Sequence, residues 1–258
     1  MEHTESLNEY LDEVYMDCKQ LLKEEIKSFA TVKKVIALEE SNGILGKIEM
    51  LYKKNIAEGR KCFYKASLAR EWFYVEFPKK EYDIESYYVS TYAYESLYYA
   101  ILGGSKEQAV HMAQLYGNIK VEDVQEFLPT VLLGFGLKYV ILDDLVHALE
   151  YVQKIDDNKR KRGMKQYSEG HARAYRGIIE RDEAELNKGL EYMLKHHAAR
   201  MRRNGNYLDE FFAYDSVALA MLAKDRGIAI TIKHDLLPME YLEDTRIDYA
   251  ALQLHGLD

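Results

Sequence analysis

Histidines and carboxylates are where chemistry would begin in a chain that has only two cysteines. Near residue 190, Leu186, Leu190, Met193, Leu194, His197 and Met201 recur at helical spacing and put His197 at the centre of an apolar face. His196 points elsewhere, because neighbours on a helix diverge by ~100° and cannot jointly hold one metal. His197 therefore reads as a hydrogen-bonded core histidine. Asp144 and His147 have the spacing of a helical metal pair. Yet Asp143, His147 and Glu150 lie opposite Ile141, Leu145, Leu149 and Val152, which makes theirs a solvated side. The paired Glu-x-x-His motifs of a di-iron bundle are absent, as are His-Glu-x-x-His, Gly-x-Ser-x-Gly and a phosphate loop. Gly134 and Gly136 sit in an apolar run and suit close helix packing.

Two carboxylates resist dismissal. On a helical wheel Asp215 falls among Phe211, Phe212, Ala218, Leu219 and Leu222, and Glu95 among Tyr88, Tyr92, Tyr99 and Leu102. A buried, unpaired carboxylate costs several kcal/mol, so each needs donors, and Arg173, Arg176, His197 and tyrosine hydroxyls are available. The expectation is a polar core of Glu95, Arg176, His197 and Asp215. The competing reading makes Glu95 and Asp215 a general acid and base in a groove. Perturbed carboxylates also serve as internal ties, so no catalytic residue is assigned.

Tyrosine is the compositional oddity: the chain has 22, and Tyr87, Tyr88, Tyr92, Tyr94, Tyr98 and Tyr99 crowd one stretch. At ~100° per residue, Tyr88, Tyr92 and Tyr99 form one stripe and Tyr87, Tyr94 and Tyr98 another. The second stripe is a candidate partner surface, since tyrosine is enriched in binding hot spots. The alternative buries both stripes between neighbouring hairpins.

The elements that must position these groups are helices. Three prolines, Pro78, Pro129 and Pro238, separate long stretches rich in Leu, Ala, Glu, Lys and Tyr. Ser6 and Glu9 form a capping box that opens a first long helix. A second is expected from about Ile44, after a Ser41-Asn42-Gly43 break, to about Val75; a third runs from near Asp83 to Gly103-Gly104. Ser105 to Gln108 caps a short helix that Gly117 closes. One apolar helix is expected from Val131 to about Val152, followed by an exposed linker over Asp156 to Gly163. Ser168 to Glu180 and the helix capped at Asp182 form a hairpin, and Asn206 caps the last long helix, ending before Gly227. Ile228 to Ile232 is the one plausible strand, and Pro238 opens a brief terminal helix. The fold class is all-α, an irregular array of stacked antiparallel helical hairpins. Residues 1–258 are expected to form a single helical domain, with closely packed halves 1–128 and 129–258 as the possible subdivision.

With 48% hydrophobic residues the chain can bury a core that needs no disulfide, metal or cofactor. Residues 1–30 lack a basic start followed by an apolar run, and no segment reaches membrane-span length; the expected compartment is the cytoplasm. The net charge of −8 is unevenly placed. Glu2, Glu5, Glu9, Asp12, Glu13 and Asp17 occupy residues 1–18 without a Lys or Arg. Asp235, Glu240, Glu243, Asp244, Asp248 and Asp258 face only Arg246 at the other end. Lys159 to Arg162 and Arg200, Arg202 and Arg203 are basic clusters without interleaved aromatics. The pattern argues against nucleic acid as the main partner and is compatible with a basic protein partner, with Glu9, Asp12 and Glu13 as candidate contacts; the alternative is that the acidic ends only aid solubility.

From His171 onward the order of features resembles immunity protein family 49 of bacterial polymorphic toxin systems. The residues that carry this are Ala174-Tyr175-Arg176-Gly177-Ile178-Ile179-Glu180-Arg181-Asp182, Phe211 to Ala220, Lys224-Asp225-Arg226-Gly227-Ile228 and Leu237-Pro238, with a fainter echo in Ala100 to Gly104. The resemblance implies a helical protein that neutralises a cognate toxin by binding it, without chemistry of its own. The alternative is a helical scaffold or regulatory adaptor for another cellular protein.

Overall fold

The computed structural model describes residues 2–23, 31–76, 93–119, 128–158, 165–204, 207–252 and 254. The fold is all-α. Its helices are α1 (Glu2–Lys23), α2 (Thr31–Leu51), α3 (Ile56–Glu76), α4 (Glu95–Leu102), α5 (Lys106–Leu115), α6 (Pro129–Ile141), α7 (Leu145–Asn158), α8 (Lys165–Glu180), α9 (Glu183–Asn204), α10 (Tyr207–Phe211) and α11 (Tyr214–Asp225), followed by 3-10 turns at Met239–Leu242 and Tyr249–Ala251. The strongest packing is between α2 and α3, α8 and α9, α6 and α7, and α7 and α8, while α4 lies between α3 and α11.

Local chemistry starts several of these helices. Ser105 Oγ accepts from the Gln108 amide at 3.2 Å, Asp182 Oδ1 from the Glu185 amide at 3.0 Å, and Asn55 Oδ1 from the Glu58 amide at 3.2 Å. Each satisfies an amide that the first helical turn leaves without an internal acceptor. Gly117 turns away from α5 with φ +79°.

The main core runs from Met50 and Phe63 through Leu97, Tyr98, Leu133 and Tyr175 to Phe212 and Tyr241. Two smaller clusters lie beside it. One joins Val35 and Leu38 to Phe73; the other joins Cys18 of α1 to Leu45 and Cys62. Gly134 shows why a small residue was needed in α6: a Cβ there would stand 1.9 Å from the Tyr116 hydroxyl. The close-packing reading of that run holds.

Some boundaries differ from expectation. Ser41-Asn42-Gly43 does not break a helix; α2 passes through it, and Asn42 Nδ2 donates to Leu38 O at 2.7 Å within the helix. The break falls instead at Tyr52–Asn55, where Lys54 adopts φ 56°. The expected Val131–Val152 helix is two helices, because Asp143 turns the chain at φ 58° and Asp144 caps α7 through the His147 amide at 3.2 Å. The last long helix is likewise divided, at Phe212 and Ala213. Ile228–Ile232 is not a strand and pairs with none among the described residues. Asn187 of α9 takes that part, donating to Ala229 O at 2.9 Å and accepting from the Thr231 amide at 2.8 Å. Its side-chain amide satisfies the backbone as a neighbouring strand would. Asp156 to Asn158, expected in a linker to Gly163, belong to α7, and the rest of that segment lies outside the described residues. The part of the third helix from Asp83 to Tyr92, and Asn206, lie outside the described residues.

Candidate functional site

The polar interior is assembled from several helices. Lys47 of α2 reaches Asp209 of α10 at 2.5 Å, with both side chains nearly buried. Burial pulls the Lys47 ammonium down, but the Tyr99 phenol and the Asp209 and Glu95 carboxylates around it outweigh that and hold it above the ordinary lysine range. A lysine held protonated is an ion-pair partner and no nucleophile. Its ammonium also lies over the Tyr214 ring, 4.9 Å from the centroid. On the same residue, buried His197 Nε2 is 2.5 Å from Asp209 O, so α9, α10 and α2 are tied through Asp209.

Asp215 is buried as expected. Its Oδ1 accepts from the Ser216 amide at 2.7 Å, and Oδ2 lies 3.3 Å from Nε2 of buried His171 on α8. Glu95 behaves differently: it is exposed and corrects the expectation of a buried carboxylate. The described helix begins at Glu95, and that register hands the core to Tyr94, Leu97 and Tyr98. Glu95 still touches the interior through Tyr214, whose hydroxyl donates to Oε1 at 2.9 Å. Asp215 and Glu95 have separate partners, His171 and Tyr214. Arg176 is half-buried rather than core: it donates to Asp156 at 2.7 Å and to Glu185 at 3.4 Å, and Arg173 joins at Glu185. Together they clamp α7, α8 and α9.

The tyrosine stripe proposed as a surface is not one where it is described. Tyr94 and Tyr98 are buried, and Tyr98 shares a 3.1 Å hydroxyl contact with Tyr175, which donates on to Leu133 O. Their rings fill the gap between α4, α6 and α8, and burial pushes the Tyr98 phenol well up. Tyr87 lies outside the described residues, as do the side chains of Lys159–Arg162, Arg200, Arg202 and Arg203.

Glu9 and Glu13 are exposed on α1. Asp12 is exposed too, but it accepts from Lys53 at 2.7 Å and from Tyr52 at 3.2 Å. The Lys53 hydrogen bond holds its carboxyl below the usual range. Thus Asp12 docks α1 onto the end of α2, while Glu9 and Glu13 face outward. Met16 is 63% exposed on that outward side, so it is not wholly polar.

Asp144 and His147 sit 2.7 Å apart, but Asp144 is occupied in capping α7, and no group of three potential metal ligands occurs among the described residues. Sequence reasoning missed Lys47, Asp209 and His171. Lys47, Asp209 and a second tie, Glu39 with Arg70 at 2.7 Å, each stand next to hydrophobic residues, a weak hint that they are enclosed. Their partners come from distant segments that no periodicity announces.

No curated protein and no solved structure matches this chain. A family model does, over the segment that includes α7 through α11, with Arg176, His171, His197, Asp209 and Asp215 among its residues. Over residues 142–241, this chain matches the family Immunity protein 49.

Proposed function

We propose that this chain is an immunity protein that neutralises a cognate bacterial toxin by forming a stoichiometric complex in the cytoplasm, through binding and without catalysis. The match over residues 142–241 carries this reading. Two further features support it. The buried ionisable groups at Lys47, Asp209 and Asp215 are engaged with internal partners, the use expected of structural ties. The outward face of α1 offers Glu9 and Glu13 to a basic surface, which would speed encounter and exclude wrong partners. Among the described residues no helix is long and apolar enough to cross a membrane.

The experiment is coexpression with the polypeptide encoded beside it, reading both rescue of growth and copurification in a fixed ratio. Rescue together with a stoichiometric complex is the expected result. A complex without rescue would instead favour a scaffold or adaptor. In the complex, replacing the outward-facing Glu9 and Glu13 by Lys, with Asp12 kept to hold α1 in place, slows association about tenfold at low salt, and the deficit shrinks as salt is added. An unchanged association rate would remove α1 from the interface.

A further inference from the structure

The α6–α7 hairpin carries a run of stacked, half-exposed rings. Phe135 of α6 stacks on Tyr151 of α7 with centroids 5.3 Å apart, Tyr151 on Tyr139 at 5.5 Å, and Tyr139 on His147 at 4.8 Å. The planes are between 22° and 29° from parallel at each step. These are offset-stacking distances, and the rings come alternately from the two helices, so they lock the hairpin as well as one another. At the inner end buried Tyr116 meets Phe135 edge-on at 5.5 Å. The outer end is His147.

His147 is held from two directions. Tyr139 covers one face of its ring, and Asp144 Oδ2 lies 2.7 Å from Nδ1. A carboxylate only accepts, so Nδ1 carries a proton and the ring is fixed in orientation. With one face covered the side chain is still 51% exposed, so the opposite face meets water. Leu145 and Val146 directly precede it and are 50% and 73% exposed. Among the described residues they are the only exposed large hydrophobics adjacent in sequence. Single exposed apolar residues are ordinary on a surface, whereas a contiguous patch beside an open ring marks an interaction site. The expectation that Leu145 belongs to a buried face does not survive: α7 begins there, and its buried residues are Ala148, Val152 and Ile155.

The charges around this patch are engaged within the chain. Asp144 holds His147, Glu150 pairs with Lys154 at 2.7 Å, and Asp143 pairs with Arg226 at 3.0 Å. Arg226 also donates to the carbonyls of Val140 and Ile141, and these ties fix the left-handed Asp143 turn that presents the patch. Lys138 lies over the Phe135 and Tyr139 rings and donates to Tyr116 O at 2.6 Å. A patch so neutralised fits an uncharged group of a partner better than a charged one.

We infer that this patch is an anchoring surface for the toxin, which lays an aromatic side chain on the open face of His147 and packs apolar neighbours of that ring on Leu145 and Val146. The inference rests on the proposed function and adds where, and by what chemistry, the partner is held. A ring is the occupant the geometry fits, because it continues by one step a stack whose existing steps are 4.8–5.5 Å. Aromatic anchors carry a disproportionate share of interface energy, and rings already held by both helices lose little freedom on binding. Leu145, Val146, His147 and Tyr151 all fall within the matched segment, residues 142–241; Phe135 and Tyr139, which support the stack from α6, precede it.

The test uses the full-length chain and the polypeptide encoded beside it, in a non-toxic variant, with dissociation followed by surface plasmon resonance at low and high salt. His147→Ala and the double variant Leu145→Ser, Val146→Ser are each expected to dissociate about tenfold faster or more, equally at both salt concentrations. Their melting temperatures should be unchanged, since the positions are exposed. His147→Phe restores a ring and is expected to recover most of the loss. Met239→Arg, at an exposed apolar residue of the terminal 3-10 turn, is expected to stay within about twofold of wild type. Patch variants that match wild type, a deficit that shrinks with salt, or a Phe variant as weak as the Ala variant would each overturn the aromatic anchor and leave the proposed function standing. A wild-type chain that sediments as a dimer, separated by the same substitutions, assigns the patch to a second copy and overturns the anchor as well. Absence of any complex with the wild-type chain overturns the proposed function and the anchor with it.

Discussion

Lys47 and Asp209 stabilise the native state only as a pair. Removing one partner from a buried ion pair strands the other charge in low dielectric, a loss of about 3–5 kcal/mol, whereas replacing both with apolar groups can be nearly neutral. Asp209→Ala is therefore expected to lower unfolding free energy by about 3 kcal/mol or more in urea titration. The double variant Lys47→Met, Asp209→Leu should be more stable than that single variant. A double variant no better than the single would show that the two charges are not coupled. These residues also mark the limit of what the sequence discloses. His197 and Asp215 were legible as enclosed because their own helices surround them with apolar neighbours at the right spacing. Lys47 finds its carboxylate 162 residues away, and only folding brings the two together. Glu95 was misplaced because the wheel assumed an unbroken helix upstream, whereas its position in the first turn of α4 turns it outward.

The α8–α9 hairpin shows how little space two helices can share. A Cβ at Gly177 would stand 2.3 Å from the Leu186 amide nitrogen, and one at Gly189 would stand 2.5 Å from that of Ala174. Both obstacles are backbone, so the helices themselves would have to move apart. Gly177→Ala gains helix propensity yet is expected to cost about 1–3 kcal/mol through overpacking, read as a lower melting temperature. A neutral or raised melting temperature would mean that the hairpin tolerates wider spacing. Element starts written in local hydrogen bonds, at Ser105 and Asp182, were readable in advance because the cap and its amide lie three residues apart. The continuity of α2 through Asn42 and the turn at Asp143 were not. In the first case helical packing overrides turn-forming residues; in the second, a distant guanidinium holds a conformation the segment alone disfavours.

Taken whole, the molecule keeps its phenols protonated beyond their ordinary range. Burial raises Tyr99 and Tyr241 to about 12, and a hydrogen bond to Glu49 together with burial does the same for Tyr15, against about 10 when unfolded. Between those values the native state binds protons that the unfolded state has released, so stability is full below pH 10 and falls as pH rises towards 12. Melting followed at alkaline pH should show phenolate absorbance rising together with the loss of helical circular dichroism. Coincident transitions would support residues 1–258 unfolding as the single domain proposed from sequence; phenolate appearing well before helix loss would contradict the protection. Composition made the all-helical class readable, since it needs only propensity and punctuation. How the helices stack depends on contacts far apart in sequence. One such contact joins α1 to the rest: Cys18 and Cys62 lie in a shared apolar cluster with Leu45, and burial raises both thiols, Cys62 to about 12. The chain thus carries its own latch reporter, two sulfurs that a thiol reagent reaches only as fast as the first helix lifts away.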